Sequence, residues 1–566
     1  MFPRMRERIT RALPTLVVLA IPAPCLVAQE QAARTATAPD THYEFLLRGG
    51  RVYDGSGNPW VRADIGIQSG RIAAVGFLSG ATADRVIDAQ GLVVMPGIID
   101  MHSHANSGFD REDPRSRATI NNLTQGITTI VVGESGSAWR RGSTIQELTQ
   151  RWTDAGIGTN VALLAGIETI RGAVLPSNDA PPTAEQIAQM QQLVRDAMEG
   201  GAFGLSSALD YWNGHFSSTE EIKALAEAIA PYNGIYSSHI RSEGTRSLWW
   251  TESHSSPRVT HLDAVREIVD IGRSAGIRVH ILHIKSTGIP FWGKSREATR
   301  IIEEARAAGV DVTANVYPYT ASGPDRSTQM FKWEPYLDEF GGESLRGAAR
   351  KEAIAAKLEQ DEAFANRLKK DVAHEILARG GAERMLITGF AENPTYVGKF
   401  MAEINDLRQE TMFETAKYLQ LDNNARIRSY SMQEDDLKHY LTRDYIAPAT
   451  DGSASGARVH PRAYGTFPRF IRKYVLDEQA LTMPFFVRKV TALPASIMGF
   501  KDRGLIKEGF RADILVFDQA TIRDNATFEK PNVYSDGVRY LLINGQLALD
   551  DGQTTGALAG EVILRK

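Results

Sequence analysis

Pro96-Gly97-Ile98-Ile99-Asp100-Met101-His102-Ser103-His104 is the stretch on which the reading of this 566-residue chain turns. It follows an apolar run, Gly91-Leu92-Val93-Val94-Met95, that reads as a buried strand. Side chains alternate faces along a strand, so His102 and His104 project to the same side. Two imidazoles on one face at a strand end are half of a metal site. Zinc and similar ions take three or four ligands, so further donors must come from elsewhere in the chain.

Hydrophobic residues make up 43% of the chain and charged residues 23%, the balance of a globular protein with a sizeable core. The length suits one large α/β barrel with a smaller unit. A net charge of −4 and the lack of a basic stripe argue against nucleic acid as a partner. The N-terminus is distinct. Arg4, Arg6, Arg8 and Arg11 precede an apolar segment at residues 12–21, and small residues follow at Val27-Ala28. This is the layout of a secretory signal peptide over residues 1–28, and its apolar part is too short for a membrane span. The predicted location is periplasmic or secreted. Cys25, the one cysteine, lies in that segment. A processed chain would therefore have no disulfide, no thiolate ligand and no cysteine nucleophile. Residues 29–40 read as a disordered spacer.

Residues 41–95 show short strands separated by glycine turns, and residues 503–566 repeat that texture. One β-sandwich domain built from both ends of the chain is the simplest packing. Between them, residues 96–502 alternate strand-like and helix-like pieces. Ile127-Thr128-Thr129-Ile130-Val131-Val132, Ile235-Tyr236-Ser237-Ser238-His239, Val279-His280-Ile281-Leu282-His283 and Val312-Thr313-Ala314-Asn315-Val316-Tyr317 read as strands. Residues 183–199, 262–274 and 295–308 read as helices. The predicted fold is α/β, a (β/α)8 barrel whose active site lies at the C-terminal ends of its strands. Residues 322–440 carry charge and helix formers with few strand signals, and are predicted to be a mainly helical insertion near the site. No internal repeat stands out.

Every further candidate lies at a strand end. His239 closes its strand. Alternation places His283 and Lys285 on one face, and Tyr317 and Tyr319 on one face. Asp451 follows Tyr445-Ile446-Ala447-Pro448-Ala449-Thr450 and precedes Gly452. A strand, an Asp and a Gly place a general base well beside a metal-activated water.

Taken together, these motifs make the chain resemble the amidohydrolase superfamily, in particular the D-aminoacylase (N-acyl-D-amino-acid deacylase) branch. The resemblance rests on the Pro96–His104 run, Gly204-Leu205-Ser206-Ser207, Ser238-His239-Ile240-Arg241-Ser242-Glu243-Gly244, His283-Ile284-Lys285, Tyr317-Pro318-Tyr319-Thr320-Ala321, Thr450-Asp451-Gly452 and His460-Pro461-Arg462-Ala463-Tyr464-Gly465. It covers nearly the whole chain after the leader. It implies metal ligation by His102, His104, His239 and His283, with zinc, one or two ions, as the expected metal. It implies that Asp451 takes a proton from the metal-activated water and gives it to the leaving amine. It further implies that Lys285, one of the two tyrosines (Tyr319 is favoured) and Arg462 hold a substrate carboxylate. A planar guanidinium, an ammonium and a hydroxyl suit that group.

The pattern departs from the branch at one turn. Where the branch has Gly-Asn-Cys-Gly with a ligating cysteine, this chain has Gly133-Glu134-Ser135-Gly136. Glu134 is expected to supply a carboxylate ligand in place of the thiolate and to make a harder, oxygen-rich, binuclear site. A second departure is the 248–260 segment with Trp249, Trp250 and His254, a candidate lining of the substrate entrance. The expected reaction is hydrolysis of the amide of an N-acyl amino acid, of D configuration by resemblance. The alternative within enzymes is a cyclic-amide hydrolase of the dihydroorotase or hydantoinase kind, or a peptidase-like hydrolase of carboxylate-bearing amides. A degenerate, non-catalytic barrel is disfavoured by the presence of four histidines and Asp451. The expected partner is a small molecule bearing a carboxylate, with no nucleic acid and no membrane span. Assembly into a homo-oligomer is left open.

Overall fold

The computed structural model describes residues 41–134, 136, 143–177, 179–248, 258–323, 328–332, 334–340, 347–454 and 459–565. The signal-peptide and spacer segments, Ser135, Trp249, Trp250 and His254 lie outside the described residues.

Eight parallel strands form the central barrel. They are β1 (Ile98–Asp100), β2 (Ile127–Val132), β3 (Asn160–Leu163, continued by Ala165–Gly166), β4 (Gly204–Ala208), β5 (Ile235–His239), β6 (Arg278–Ile281), β7 (Val312–Val316) and β8 (Ile446–Pro448). Hydrogen-bonded neighbours run β1-β2-β3 and then from the second piece of β3 through β4, β5, β6 and β7 to β8. Most of these strands are buried along their whole length, as parallel strands covered on both faces must be. The barrel closes just beyond β8. Thr450 donates from its backbone N–H and hydroxyl to Asp100, at 2.9 and 2.6 Å, and Asp451 N–H donates to the His102 carbonyl at 2.8 Å. Closure therefore brings Asp451 beside His102 although 348 residues separate Thr450 from that histidine.

Strong local signals set the outer helices. Thr183 caps Ala184–Glu199 and Thr260 caps His261–Ala275, each through a reciprocal capping box. The apolar faces of these helices pack on the barrel: Met190, Val194, Val265 and Ile268 are all buried there. Gly97 is needed where the chain enters the barrel, because a Cβ on it would lie 2.2 Å from the Thr128 side chain.

Both ends of the chain meet in one β-domain. Its nine strands include His42–Val52, Val61–Gln68 and Val93–Pro96 from the N-terminal part, and Ile514–Phe517 and Val538–Ile543 from the C-terminal part. The strands of the expected sandwich are linked into one continuous hydrogen-bonded path. The reason lies in His42–Val52, which pairs Thr82–Asp88 over its first half and Val93–Val94 over its last two residues. An irregularity between Leu47 and Gly50 lets one strand serve both neighbours.

Between β7 and β8 lies the insertion, with a hydrophobic core of its own that includes Phe364, Leu368, Met385, Ile387, Leu419 and Ile427. It is mainly helical, with Ala348–Gln360 and Glu362–Ala378 its longest helices. It also contains an antiparallel strand pair, Met385–Gly389 with Arg426–Ser429. Among the described residues no helix is long and apolar enough to cross a membrane.

Candidate metal centre

The strand ends of β1, β5, β6 and β8 deliver their polar side chains to one buried point. His102 Nε2, His104 Nε2 and Asp451 Oδ1 form a triangle with edges of 3.3, 3.2 and 3.4 Å. A tetrahedral ion with bonds of about 2.0–2.1 Å separates its ligand atoms by about 3.3 Å, so this triangle already has the dimensions of a metal face. Beside it, His239 Nδ1 and His283 Nε2 face each other at 2.9 Å. The His102 and His283 rings lie 5.1 Å apart, centroid to centroid. Ligand atoms of His102, His283 and Asp451 all lie within 4.8 Å of one another.

The backbone makes special arrangements for two of these residues. His283 has φ of 32° and Asp451 φ of 49°, in the left-handed region that side-chain-bearing residues rarely occupy. Strand β6 ends at Ile281, so His283 reaches the centre by this turn rather than by strand alternation. The Asn315 side chain accepts the His283 N–H at 2.5 Å and holds the turn. His280, still on the strand, is buried, and Thr313 and Asn315 occupy both its ring nitrogens.

Burial and charge set the ionisation of the centre. Burial acts to raise Asp451, but the Arg462 guanidinium and the His102 imidazole hold it well below the usual carboxylate range. Burial drives His102 well below its ordinary value and brings His283 to about 4, with Lys285 adding to the latter. Neutral imidazoles and an ionised carboxylate are the forms in which these groups bind metal. Burial also pushes Asp100 up to about 7 and Glu134 well above its ordinary value, and neighbouring carboxylates add to both. Both Glu134 oxygens, His102 Nδ1 and His239 Nε2 are buried and lack a hydrogen-bond partner. The atoms that face one another in the centre, imidazole nitrogens and an ionised carboxylate oxygen at 2.9–3.4 Å, are the donors a positive ion takes, so the residues fit a metal.

Glu134 is not brought into the triangle. Its Oε2 lies 3.5 Å from Nδ1 of His102, whereas Nε2 of that ring is the nitrogen that meets Asp451. The side chain one residue before the expected cysteine position thus reaches the back of a ligand instead of the ligand cluster. The cations also differ in detail from expectation. Lys285 Nζ lies 3.3 Å from the Tyr317 hydroxyl, and the Arg462 guanidinium stacks over the Tyr317 ring at 4.7 Å. Tyr317, not the favoured Tyr319, stands between the two cations. Tyr319 packs against His460 and Phe528, with Arg469 over its ring. Each cation already has a carboxylate: Arg462 pairs with Asp451 at 3.0 Å and Lys285 with Glu243 at 2.9 Å. No role was assigned to Glu243 from the sequence, although it lies within a quoted motif, four residues beyond His239. That i, i+4 spacing from a strand-end histidine was the available signal.

The sequence matches the model of the amidohydrolase family over residues 85–321 and 440–548. The chain belongs to the amidohydrolase family. A D-aminoacylase of Alcaligenes xylosoxydans xylosoxydans is 31% identical to it, over 92% of this chain and 98% of its own length. An N-acyl-D-glutamate deacylase of the same organism is 31% identical, over 89% and 93%. The crystal structure of an N-acyl-D-glutamate deacylase from Bordetella bronchiseptica, complexed with zinc and a phosphonate inhibitor, superposes with a TM-score of 0.71 at 28% identity, covering 93% of this chain and all of that one. This amidohydrolase is thus a metal-dependent hydrolase of amide bonds on a barrel with a β-domain, as its motifs implied. The family match leaves out residues 322–439, where the insertion lies.

Proposed function

We propose that this amidohydrolase removes the acyl group from N-acyl amino acids with a free carboxylate, with preference for the D configuration, using zinc held by His102, His104, His239, His283 and Asp451. The observation that carries this reading is the triangle of His102, His104 and Asp451 at metal-ligand spacing beside the His239–His283 pair, with two cations at its rim. Similarity to D-aminoacylase and N-acyl-D-glutamate deacylase supports the substrate class and the stereochemistry. Zinc in the Bordetella bronchiseptica deacylase supports the metal. When bound, zinc supplies a Lewis acid that polarises the amide carbonyl and brings the pKa of a water near neutrality.

The chain's own residues do the rest. Asp451 accepts the proton of the attacking water and delivers it to the leaving amine nitrogen; a carboxylate held ionised can act as the base. Arg462 and Lys285 hold the substrate carboxylate, and the Tyr317 hydroxyl adds a donor between them. Glu134 orients His102 from behind. Residues 1–28 direct export and are removed, which N-terminal sequencing of the secreted protein checks. The deciding experiment is turnover of matched N-acyl-D- and N-acyl-L-amino acids by zinc-loaded protein, with a chelator and zinc restoration. Hydrolysis of the D series, lost with the chelator and recovered with zinc, is expected. Failure of both series at saturating zinc overturns the reading.

A further inference from the structure

Glu243 occupies an unusual position relative to the centre. A single oxygen, Oε1, lies 3.5 Å from His239 Nε2, 3.2 Å from His283 Nδ1 and 2.9 Å from Lys285 Nζ. The two imidazole nitrogens it meets are the rear ones. Their partners, His239 Nδ1 and His283 Nε2, face each other at 2.9 Å and point into the centre. One half-buried carboxylate therefore backs two candidate ligands and the cation that faces the substrate.

We propose that Glu243 is a positioning residue shared by the metal pair and the carboxylate clamp. It draws the ring protons of His239 and His283 to the rear nitrogens, leaves the lone pairs of the facing nitrogens free, and anchors Lys285 at the rim. The inference rests on the reading of His239 and His283 as zinc ligands given above. Direct ligation by Glu243 is the competing role, since it forms a possible donor group with the same two histidines. The Lys285 ammonium decides against it. It sits 2.9 Å from Oε1 and 3.2 Å from His283 Nδ1, in the space a cation between those donors would share. Glu243 is itself held in place. Its carbonyl accepts from both the N–H and the hydroxyl of Thr287, each at 2.8 Å, which ties the segment after β5 to the segment after β6. The next residues are gripped by the insertion: Thr245 bonds His374 at 2.8 Å and Arg246 pairs with Asp371 at 2.9 Å.

The test uses the full chain as wild type, Glu243→Gln and Glu243→Asp. Zinc affinity and stoichiometry are read by competition with a chromophoric chelator, and kcat and KM with an N-acyl-D-amino acid at saturating zinc. An outer carboxylate of this kind typically contributes 10- to 100-fold in metal affinity. Glu243→Gln is expected to weaken zinc binding by about that factor with unchanged stoichiometry, and to raise KM because Lys285 loses its anchor. Glu243→Asp is expected to recover part of both. Loss of one zinc from the saturated stoichiometry would make Glu243 a ligand and overturn the proposal, as would unchanged affinity and KM. A wild type that takes up no zinc overturns the underlying reading instead. If Glu243→Gln does not fold, Thr287→Val removes one hydrogen bond to the Glu243 carbonyl. It should shift zinc affinity in the same direction, and wild-type affinity there would also overturn the proposal.

Discussion

Asp451 holds its backbone at φ of 49°, a conformation costing about 1–2 kcal/mol for most side chains and least for Asn, Asp and Gly. Asn is therefore the substitution that removes the charge while keeping the turn. Asp451→Asn is expected to lower kcat by about 10²–10⁴, the usual worth of a general base, and also to lower the unfolding midpoint, because it leaves the Arg462 guanidinium without the carboxylate 3.0 Å away. Activity within twofold of wild type, measured at saturating zinc, would remove Asp451 from proton transfer. The two tyrosines offer a paired test. Tyr317→Phe takes away the hydroxyl 3.3 Å from Lys285 and should raise KM for the acyl amino acid. The Tyr319 hydroxyl is buried without a partner, so Tyr319→Phe should leave KM unchanged and cost no stability. Equal effects from both would mean that the clamp uses neither geometry. The positions of the four histidines and Asp451 at one end of the barrel follow from the sequence because each closes a strand or follows one directly. The choice between Tyr317 and Tyr319 does not. Strand β7 ends at Val316, so alternation no longer governs the residues after it. Glu134 shows a related effect: in a turn, one residue of displacement changes which side of an imidazole a carboxylate meets.

At the level of elements, a buried ion pair holds the insertion together, and its lysine also reaches a loop of the barrel. Lys332 pairs with Glu375 at 2.6 Å and also donates to the Leu248 carbonyl at 2.7 Å, and the side chains of the pair are buried. Removing one partner of such a pair leaves a buried charge without its counter-ion, which typically costs about 3–5 kcal/mol. Glu375→Ala is expected to destabilise the insertion by about that amount, seen as a lower urea midpoint and faster proteolysis within residues 328–440. Replacing both partners, Lys332→Met with Glu375→Leu, should recover most of the loss. A single mutant as resistant as wild type would show that the pair does not hold the insertion together. Helices here were legible from periodicity and capping residues. The strand pair Met385–Gly389 with Arg426–Ser429 was not, because its members are short and lie far apart in sequence. In the β-domain the strands were legible, but their linkage into one continuous path depends on how His42–Val52 bends between two neighbours, and no local pattern encodes that.

For the whole molecule, the barrel was legible because eight buried strands alternate with amphipathic helices, and a parallel sheet so covered has few other ways to close. What composition hides is the cost of the charges enclosed. Lys489 is fully buried and donates to the carbonyls of Leu441 and Arg443, joining helix Met483–Val490 to the segment entering β8. Burial pushes its pKa from 10.5 down to about 7. Between these two values the unfolded chain binds the proton and the folded chain does not. Stability therefore rises with pH across about 7–10.5, and this contribution is flat below the folded value. The gain is on the order of a few kcal/mol over the window. Lys489→Met loses the two hydrogen bonds at every pH, but it also loses this slope. The stability difference between wild type and Lys489→Met should move in favour of the wild type as pH is raised from 7 to 10, read as urea midpoints at each pH. Parallel profiles would mean that the ammonium stays charged where it is buried, held by its two carbonyls strongly enough to offset its desolvation.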